Sequence, residues 1–293
     1  MFRPDRLHNI IGQKTAKQTL NILLRSAQIR EDCIDHLLLS GPPGTGKTSM
    51  ARAVANEMGT EIQLANCSNI RSIKDLMPYI MRVKEQHVLF LDEVHALPVK
   101  VQEFLYPVME DWRCDVGANA VSIDIPRFTL IGATTNSGKV EKPFYDRFLT
   151  HLQLKLYNDA DLVKIIEQAA SKLEDVDFYL DGLIQLAEVS RGTPRVALSY
   201  LKWMRDYALC EAAPGPLNSQ DVLKAMNLKG ISKEGYTAND RAYIRALEKH
   251  SPLGLNSLSA ELGIEQDTIV TEIEPFLLQN GKIRKTPKGR VLA

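Results

Sequence analysis

The sequence lacks several features that define large classes of protein. Its cysteines form no C-x-x-C pair, so nothing indicates a structural zinc site or a redox couple; they are Cys33, Cys67, Cys114 and Cys210. We expect reduced, buried thiols. No stretch holds the roughly 18 consecutive apolar residues that a membrane span requires, and the first residues contain no apolar signal region. These absences lead us to expect a soluble cytoplasmic protein.

An excess of charge of one sign is also missing. The 36 lysines and arginines balance the 36 aspartates and glutamates, so the formal net charge at pH 7 is zero. No overall field draws the chain to nucleic acid, and any such contact must come from a local patch. At 293 residues the chain is too long for one ordinary core, and we expect two or three domains.

A glycine-rich loop at residues 41–49 reads G-P-P-G-T-G-K-T-S and follows the apolar run Leu37-Leu38-Leu39. Glycines let successive backbone N–H groups converge on phosphate oxygens, and a helix begins where they do so. Lys47 is expected to reach the β- and γ-phosphates, and Thr48 to bind Mg²⁺. The pattern predicts an ATP site whose further contacts come from Gly44, Thr45, Gly46 and Ser49.

Two more apolar runs end in polar residues that suit ATP hydrolysis. Leu89-Phe90-Leu91 is followed by Asp92 and Glu93. Phosphoryl transfer needs an acid near Mg²⁺ and a group that orients the attacking water. We assign the metal role to Asp92 and the base role to Glu93. Thr135, beside Asn136 at the end of a later run, is predicted to sense the γ-phosphate.

Two arginines complete the predicted catalytic set. Arg147 follows Pro143, and Arg195 closes the motif R-G-T-P-R at residues 191–195. A planar, permanently charged fork matches the oxygens of a phosphate. We predict that Arg147 acts across a subunit boundary as an arginine finger and that Arg195 reaches the same nucleotide from a helical lid. A surface ion pair is the alternative for each.

The order of patterns along the chain predicts three domains. Apolar runs at residues 34–40, 88–91, 128–132 and 152–156 read as buried parallel strands, and a helix is expected at 50–58. Residues 1–157 are therefore predicted to form an α/β P-loop domain with a parallel sheet. An all-α lid is expected at 158–230. Helices followed by a two-stranded ribbon predict a winged helix at 231–293.

The predicted wing carries a basic cluster with no acid among its members, namely Lys282, Arg284, Lys285, Lys288 and Arg290. Such a cluster is the local patch that the neutral charge balance requires. It favours salt-dependent, largely sequence-independent contacts with backbone phosphates. A solvated basic face is the alternative.

Together these segments resemble the RuvB family, the AAA+ motors of bacterial Holliday-junction branch migration. The resemblance covers nearly the whole chain. Its motifs are D-H-L-L-L-S-G-P-P-G-T-G-K-T at 35–48, L-F-L-D-E-V-H-A-L at 89–97, Y-P-V-M-E-D at 106–111, R-G-T-P-R at 191–195, E-P-F-L-L-Q-N-G at 274–281 and K-T-P-K-G-R at 285–290.

The resemblance implies a homohexameric ring that hydrolyses ATP with Mg²⁺, pulls duplex DNA through its centre and works with a RuvA-like junction-binding protein. It also implies DNA contacts by Lys285 and Arg290, with Lys288 between them. The base and ribose of the nucleotide would be lined by Phe2, Arg3, Ile11, Tyr157 and Pro194.

The chain departs from the family pattern at two places. Tyr145-Asp146-Arg147-Phe148-Leu149 replaces an Arg-Asp-Arg-Phe-Gly stretch, and residues 111–128 leave room only for a shorter form of the hairpin that faces RuvA. The shorter hairpin leaves open a second class of function, an ATPase switch that loads a partner protein on DNA. A third is a regulatory ATPase whose winged helix reads sequence, which the all-positive wing disfavours.

Overall fold

A sheet-containing unit occupies most of the first half of the chain and includes Gly41 and residues 46–49 of the P-loop. The computed structural model describes residues 3–116, 121–173, 175–211 and 215–293. These residues divide into two compact units. The first comprises Arg3–Gly41 and Gly46–Lys155, and the second comprises Pro42–Thr45 and Leu156–Ala293.

The sheet of the first unit is parallel and has the order β2-β3-β6-β1-β7. Its strands are β1 (Leu37–Ser40), β2 (Ile62–Asn66), β3 (Val88–Asp92), β6 (Thr129–Thr134) and β7 (Thr150–Gln153). Strand β1 lies between β6 and β7, with Leu37 opposite both Ile131 and Thr150. Because β3, β6 and β1 are neighbours, their carboxyl ends meet at one edge, which is where α/β sheets bind ligands.

Both faces of this sheet are buried, as its continuous apolar runs predict. Successive side chains point to opposite faces. Leu37 and Leu39 join a core with α1 (Lys14–Arg30) and α2 (Lys47–Met58). Leu38 joins the core on the other face, against α3 (Ile73–Ile80), α4 (Val99–Glu110) and α5 (Lys142–Tyr145). Full burial of each such leucine contributes about 1.5–3 kcal/mol, so the sheet is a rigid base for its polar edge.

A separate antiparallel hairpin follows α4. It pairs β4 (Arg113–Val116) with β5 (Val121–Asp124), and Arg113 lies opposite Asp124. This is the position at which the family resemblance places a hairpin. The residues between its strands, 117–120, lie outside the described part of the chain.

The second unit begins with four helices around one hydrophobic core. They are α6 (Asp159–Ala170), α7 (Leu180–Val189), α8 (Pro194–Cys210) and α9 (Ser219–Leu228). Leu162, Ile166 and Ala169 of α6 are buried in this core. The apolar residues of this helix thus recur at helical spacing, as the lid prediction requires.

The rest of this unit has its own core and the outline of a winged helix. It contains α10 (Ala238–Lys249), α11 (Leu255–Leu262), α12 (Gln266–Thr268), a π-helical segment (Ile269–Ile273), α13 (Glu274–Gln279), β8 (Ile283–Thr286) and β9 (Gly289–Leu292). Tyr243, Leu258 and Ile273 belong to its core. The predicted fold class, a P-loop domain with lid and winged helix, is confirmed. The domain boundaries stay a prediction.

Several finer expectations are wrong. The strand expected at residues 152–156 is β7, two or three residues earlier, and the helix expected at 50–58 starts at Lys47 because Gly46, with φ +102°, turns the chain into it. Strand β2 was not predicted because Gln63 and Asn66 interrupt its apolar pattern at the sheet edge. Cys210 is exposed, whereas the other cysteines are buried. Among the described helices, none combines the length and apolarity needed to cross a bilayer.

Candidate functional site

The P-loop backbone adopts conformations that require its glycines. Gly41 has φ +144° and Gly44 has φ +78°, both in the region that side chains disfavour. A Cβ on Gly41 would lie 2.3 Å from the carbonyl oxygen of Leu154. Glycine at position 41 therefore lets the loop pass closer to the Leu154 backbone than a residue with a side chain could.

Lys47 and Thr45 are folded into this loop. Lys47 is buried, and its Nζ donates to the Gly41 carbonyl at 2.7 Å. Thr45 is also buried, and its Oγ1 donates to the Pro42 carbonyl at 2.8 Å. Because Lys47 starts α2, the N–H groups of Thr48 and Ser49 belong to the first turn of a helix, where anions are stabilised.

Glu93 and Thr135 lie together at the carboxyl edge of the sheet. Strands β3 and β6 are parallel neighbours, so the residues that follow them meet. Thr135 Oγ1 donates to Glu93 Oε2 at 3.1 Å. Asp92 ends β3 one residue earlier. The sequence thus predicted a pair of residues that the fold brings into contact, while their roles in hydrolysis stay a prediction.

The backbone of Glu93 is left-handed, with φ +57° and ψ +51°. A non-glycine residue pays a steric cost in this region, and such residues are enriched at functional sites. The conformation turns the chain at the end of β3, so that Asp92 and Glu93 do not simply alternate across the sheet as strand residues would. The carboxylate of Glu93 is thereby set at the edge beside Thr135.

His95 is a member of this group that sequence reasoning did not assign. Its Nδ1 lies 3.2 Å from Glu93 Oε2 and 2.9 Å from Thr134 Oγ1. The imidazole thus lies between the two strand ends, in contact with a residue that follows β3 and one that ends β6. Its position two residues after the acidic pair was the available signal. Nearby, burial raises the pKa of the Cys67 thiol, and the charges of Asp92 and Glu93 raise it further, so this thiol stays protonated.

The donor set fits Mg²⁺ held together with a nucleotide. Thr48 and Asp92 offer the hard oxygen ligands that Mg²⁺ prefers. Over the described ranges, no cluster of three or more histidine, cysteine, aspartate or glutamate residues is arranged to hold a metal by itself. An ion at this edge would therefore need phosphate oxygens and water to complete its coordination, which is how Mg²⁺ is usually bound.

Arg147 is held by neighbouring residues of the same chain rather than extended into solvent. Its Nη1 donates to the Pro143 carbonyl at 2.7 Å, its Nη2 lies 3.2 Å from Glu110 Oε2, and its guanidinium is 3.8 Å from the centre of the Tyr106 ring. The side chain is 22% exposed. Leu149, where the family has glycine, is not among the residues with positive φ. The loss of that glycine therefore imposes no strain, and the finger role stays a prediction.

The R-G-T-P-R motif begins α8 and lies against part of the P-loop within the second unit. A Cβ on Gly44 would be 3.0 Å from the Cβ of Arg195 and 3.4 Å from that of Thr193. Pro194 is the first residue of α8. Tyr157 is buried, and its backbone N–H donates to the Gly192 carbonyl at 2.7 Å. Arg195 and Pro194 thus belong to this motif, and Tyr157 is hydrogen-bonded to it.

Arg191, the first residue of this motif, was not assigned a role from the sequence. Its Nη1 and Nη2 each lie 3.0 Å from one carboxylate oxygen of Asp240, and Nη2 also donates to the Glu272 carbonyl at 2.7 Å. The guanidinium stacks 4.6 Å from the centre of the Phe276 ring. These partners belong to the winged helix. Their separation from Arg191 by 49 or more residues is why no local pattern revealed the contact.

The structure gives only the exposure of the remaining residues that the family resemblance places at the base and ribose. Arg3 is exposed and Ile11 is partly buried, both in the first unit. Phe2 lies outside the described residues. Their roles towards base and ribose stay predictions.

The basic cluster of the wing contains an acid that the sequence did not reveal. Lys285 and Arg290 face each other across β8 and β9, and both contact Glu274 at the start of α13. Lys285 Nζ is 2.5 Å from Glu274 Oε2, and Arg290 Nε is 2.7 Å from Oε1. Lys288 lies in the exposed turn between the strands. The wing sequence itself has no acid, but Glu274 of α13 contacts two of its cations in the fold.

The fold and the arrangement of these residues define a P-loop ATPase of the AAA+ class with a helical lid and a winged helix. Family models match almost the entire chain. Residues 2–154 match the Holliday junction DNA helicase RuvB P-loop domain, 157–232 the RuvB AAA lid domain and 233–293 the RuvB C-terminal winged helix domain. The chain belongs to the RuvB family.

Individual relatives agree with this assignment. The Holliday junction branch migration complex subunit RuvB of Campylobacter jejuni strain RM1221 is 38% identical over 304 residues, which span 99% of this chain and 88% of the relative. The same subunit from Campylobacter hominis is 39% identical over 299 residues, with 99% and 87% covered. The structure of the Thermotoga maritima RuvB Holliday junction branch migration motor superposes with a TM-score of 0.91 at 38% identity, covering 100% of this chain and 95% of that one.

Proposed function

We propose that this chain is an ATP-driven motor that translocates double-stranded DNA and promotes branch migration of Holliday junctions. Family membership and the names of its relatives support the substrate. The coupling of ATP to DNA is supported by one observation in particular. The R-G-T-P-R motif touches Gly44 of the P-loop through Arg195 and the winged helix through Arg191.

This contact suggests how a nucleotide-dependent change would reach DNA. Arg195 and Arg191 are four residues apart on a segment whose backbone is restrained by Pro194 at the start of α8 and by the hydrogen bond from the Tyr157 N–H to the Gly192 carbonyl. Movement of the motif at the P-loop would displace the winged helix through the bidentate Arg191–Asp240 pair, because buried bidentate pairs resist reorientation. We therefore place force transmission in this segment.

The nucleotide would be bound by the P-loop, with Lys47 on the β- and γ-phosphates and Thr48 and Asp92 on Mg²⁺. Glu93 would orient and deprotonate the attacking water, and Thr135, hydrogen-bonded to Glu93, would relay the presence of the γ-phosphate to that base. We propose a homohexameric ring in which Arg147 completes the site of a neighbouring subunit, after release from Glu110 and Tyr106. A RuvA-like protein would contact the β4–β5 hairpin.

The substitution Glu93→Gln tests this assignment. It keeps the size and the hydrogen-bond acceptor but removes the base, so ATP binding should persist while hydrolysis falls by about 10²–10⁴-fold. ATP-dependent unwinding of a four-way junction should fall in parallel. The measurements are nucleotide affinity, steady-state ATPase rate and junction unwinding by the full chain.

The matched control is Glu261→Gln, at an exposed position of α11, which should leave all three unchanged. Near-normal hydrolysis by the Glu93 variant would refute its role as base. Junction unwinding by the unaltered chain that needs no ATP would refute the motor. Nucleotide-dependent release from DNA without unwinding would favour the loading switch instead.

A further inference from the structure

Glu274, at the start of α13, is a fully buried carboxylate that binds both of the wing cations Lys285 and Arg290. Arg290 Nε donates to Glu274 Oε1 at 2.7 Å, and Tyr243 Oη donates to the same oxygen at 3.1 Å. Lys285 Nζ lies 2.5 Å from Oε2. Burying a carboxylate without partners would be strongly unfavourable. The three polar partners of Glu274 compensate for the loss of water around it.

The two cations occupy directly opposed positions of an antiparallel pair. Residue 285 faces residue 290 in the β8–β9 register, and like charges in such positions repel each other. The carboxylate contacts one cation with each of its oxygens, so it offsets this repulsion. We propose that Glu274 is a positioning residue that sets Lys285 and Arg290 side by side to bind phosphates of a nucleic-acid backbone. The inference rests on the proposed DNA-binding function of the winged helix.

The backbone restrains Arg290 as firmly as the carboxylate does. Its N–H donates to the Leu253 carbonyl at 2.8 Å, and its own carbonyl accepts from the Leu253 N–H at 3.1 Å. At the preceding residue, a Cβ on Gly289 would lie 2.5 Å from the Leu253 oxygen. The side chain of Arg290 is 17% exposed, whereas that of Lys285 is 46% exposed. Arg290 is thus a fixed cation and Lys285 a more accessible one beside it.

The titration of the cluster keeps it charged at neutral pH. Burial raises the pKa of Glu274, but hydrogen bonds and charge from Arg290 and Lys285 outweigh burial and hold it below its ordinary value. The pKa of Arg290 is raised by its hydrogen bond to Glu274. Burial, together with the Glu274 charge, raises the pKa of the Tyr243 hydroxyl. One anion and two cations therefore leave a net positive charge for phosphate.

The direction in which Glu274→Gln changes the affinity for duplex DNA distinguishes a positioning role of Glu274 from simple charge neutralisation. Glu274→Gln adds one positive charge to the wing. If Glu274 only neutralised its neighbours, this variant would bind duplex DNA more tightly, with a steeper salt dependence. If Glu274 positions them, the variant binds more weakly. The slope of log affinity against log salt then decreases by about 0.9 for each phosphate that the wing no longer neutralises.

Glu274→Asp tests the same point without changing charge and remains informative if the glutamine variant fails to fold. The shorter carboxylate cannot hold both cations in place, so positioning predicts weaker binding and a shallower slope. Neutralisation predicts unaltered binding. Tyr243→Phe is the control for stability, since it removes a hydrogen bond from Oε1 and leaves every charge; it should lower the melting temperature and leave the slope unchanged.

Double variants identify the partners of Glu274. Lys285→Gln and Glu274→Gln together should weaken binding by less than the product of their separate effects, because they disrupt one unit. Lys288→Gln, in the exposed turn, should combine with Glu274→Gln multiplicatively. The assay is titration of the full chain with a labelled blunt duplex over a range of salt concentrations.

The outcomes distinguish this inference from the proposed function. Tighter binding or a steeper slope for Glu274→Gln, or unaltered binding for Glu274→Asp, would overturn the positioning role while DNA binding stands. A full chain that does not bind the duplex, or whose binding is insensitive to both Lys285→Gln and Lys288→Gln, would overturn the proposed DNA-binding function itself.

Discussion

Replacing Asp240 with asparagine should destabilise the second unit by about 3 kcal/mol. Asp240 is fully buried and pairs with both terminal nitrogens of Arg191 at 3.0 Å. Breaking one half of a buried ion pair usually costs about 3–5 kcal/mol. We expect the lower end because Arg191 keeps the Glu272 carbonyl and the Phe276 ring.

Asparagine also preserves much of the local helix start. Thr237 donates from its N–H and its Oγ1 to one Asp240 oxygen, each at 2.7 Å, and an amide oxygen can accept these bonds. The change therefore isolates the missing charge from the capping interaction, whose loss would add about 1 kcal/mol.

Urea denaturation followed by tryptophan fluorescence would measure the effect. The chain has two tryptophans, and in a Trp112→Phe background the signal comes from Trp203 in α8 of the second unit. With a typical slope of about 1–3 kcal/mol per molar urea, the midpoint should fall by roughly 1–3 M. A fluorescence signal from the second unit alone is needed because a chain with several units does not always unfold in a single two-state transition.

Two controls decide whether the buried pair is responsible. Asp181→Asn alters an exposed carboxylate that accepts a backbone hydrogen bond from Ser219 and should leave the midpoint nearly unchanged. Arg191→Met combined with Asp240→Asn removes both charges and should cost less than the sum of the single changes. The reasoning is refuted if Asp240→Asn shifts the midpoint no more than Asp181→Asn, or if the double variant is fully additive.

Two further outcomes follow from the first unit. Gly41→Ala should abolish nucleotide binding and lower the melting temperature, because its Cβ would meet the Leu154 carbonyl at 2.3 Å. Gly59→Ala, which has φ +68° but open space around it, should cost only about 1 kcal/mol and keep nucleotide binding; similar losses in the two would contradict the steric account. Burial lowers the pKa of His36 to about 4, below about 6.5 in the unfolded chain. Neutral His36 therefore contributes fully to the free energy of unfolding above about pH 6.5. This contribution decreases by about 1.4 kcal/mol per pH unit as the pH falls from about 6.5 towards about 4. His36→Gln should flatten the pH dependence of urea midpoints between about pH 7 and pH 5, and an unchanged dependence would exclude His36 as its source.

The sequence predicted those parts of the molecule whose physics is local. The P-loop needs glycines at fixed spacing beside a strand and a helix, and the apolar run of β3 indicates that Asp92 and Glu93 lie at its end. Parallel pairing then brings Thr135 to Glu93. Strand β2 was not predicted because an edge strand with polar residues shows no continuous apolar pattern.

The contacts that the sequence did not predict join residues far apart in the chain. Arg191 pairs with Asp240 and Lys285 with Glu274, and neither partner is marked by a motif. The wing sequence has five cations and no acid between them, yet α13 places a glutamate beneath two of them. Such pairings depend on how helices pack, which hydrophobic spacing alone does not determine.

The left-handed backbone of Glu93 has a consequence for the choice of residue at this position. A side chain in that conformation costs about 1–2 kcal/mol relative to glycine, so the position is not optimised for folding. Thr135 and His95 hold the carboxylate in place in spite of this cost. Glycine at this position would relieve the cost, so a glutamate here fits the proposed role of Glu93 as the base of ATP hydrolysis, as in other sites where activity opposes stability.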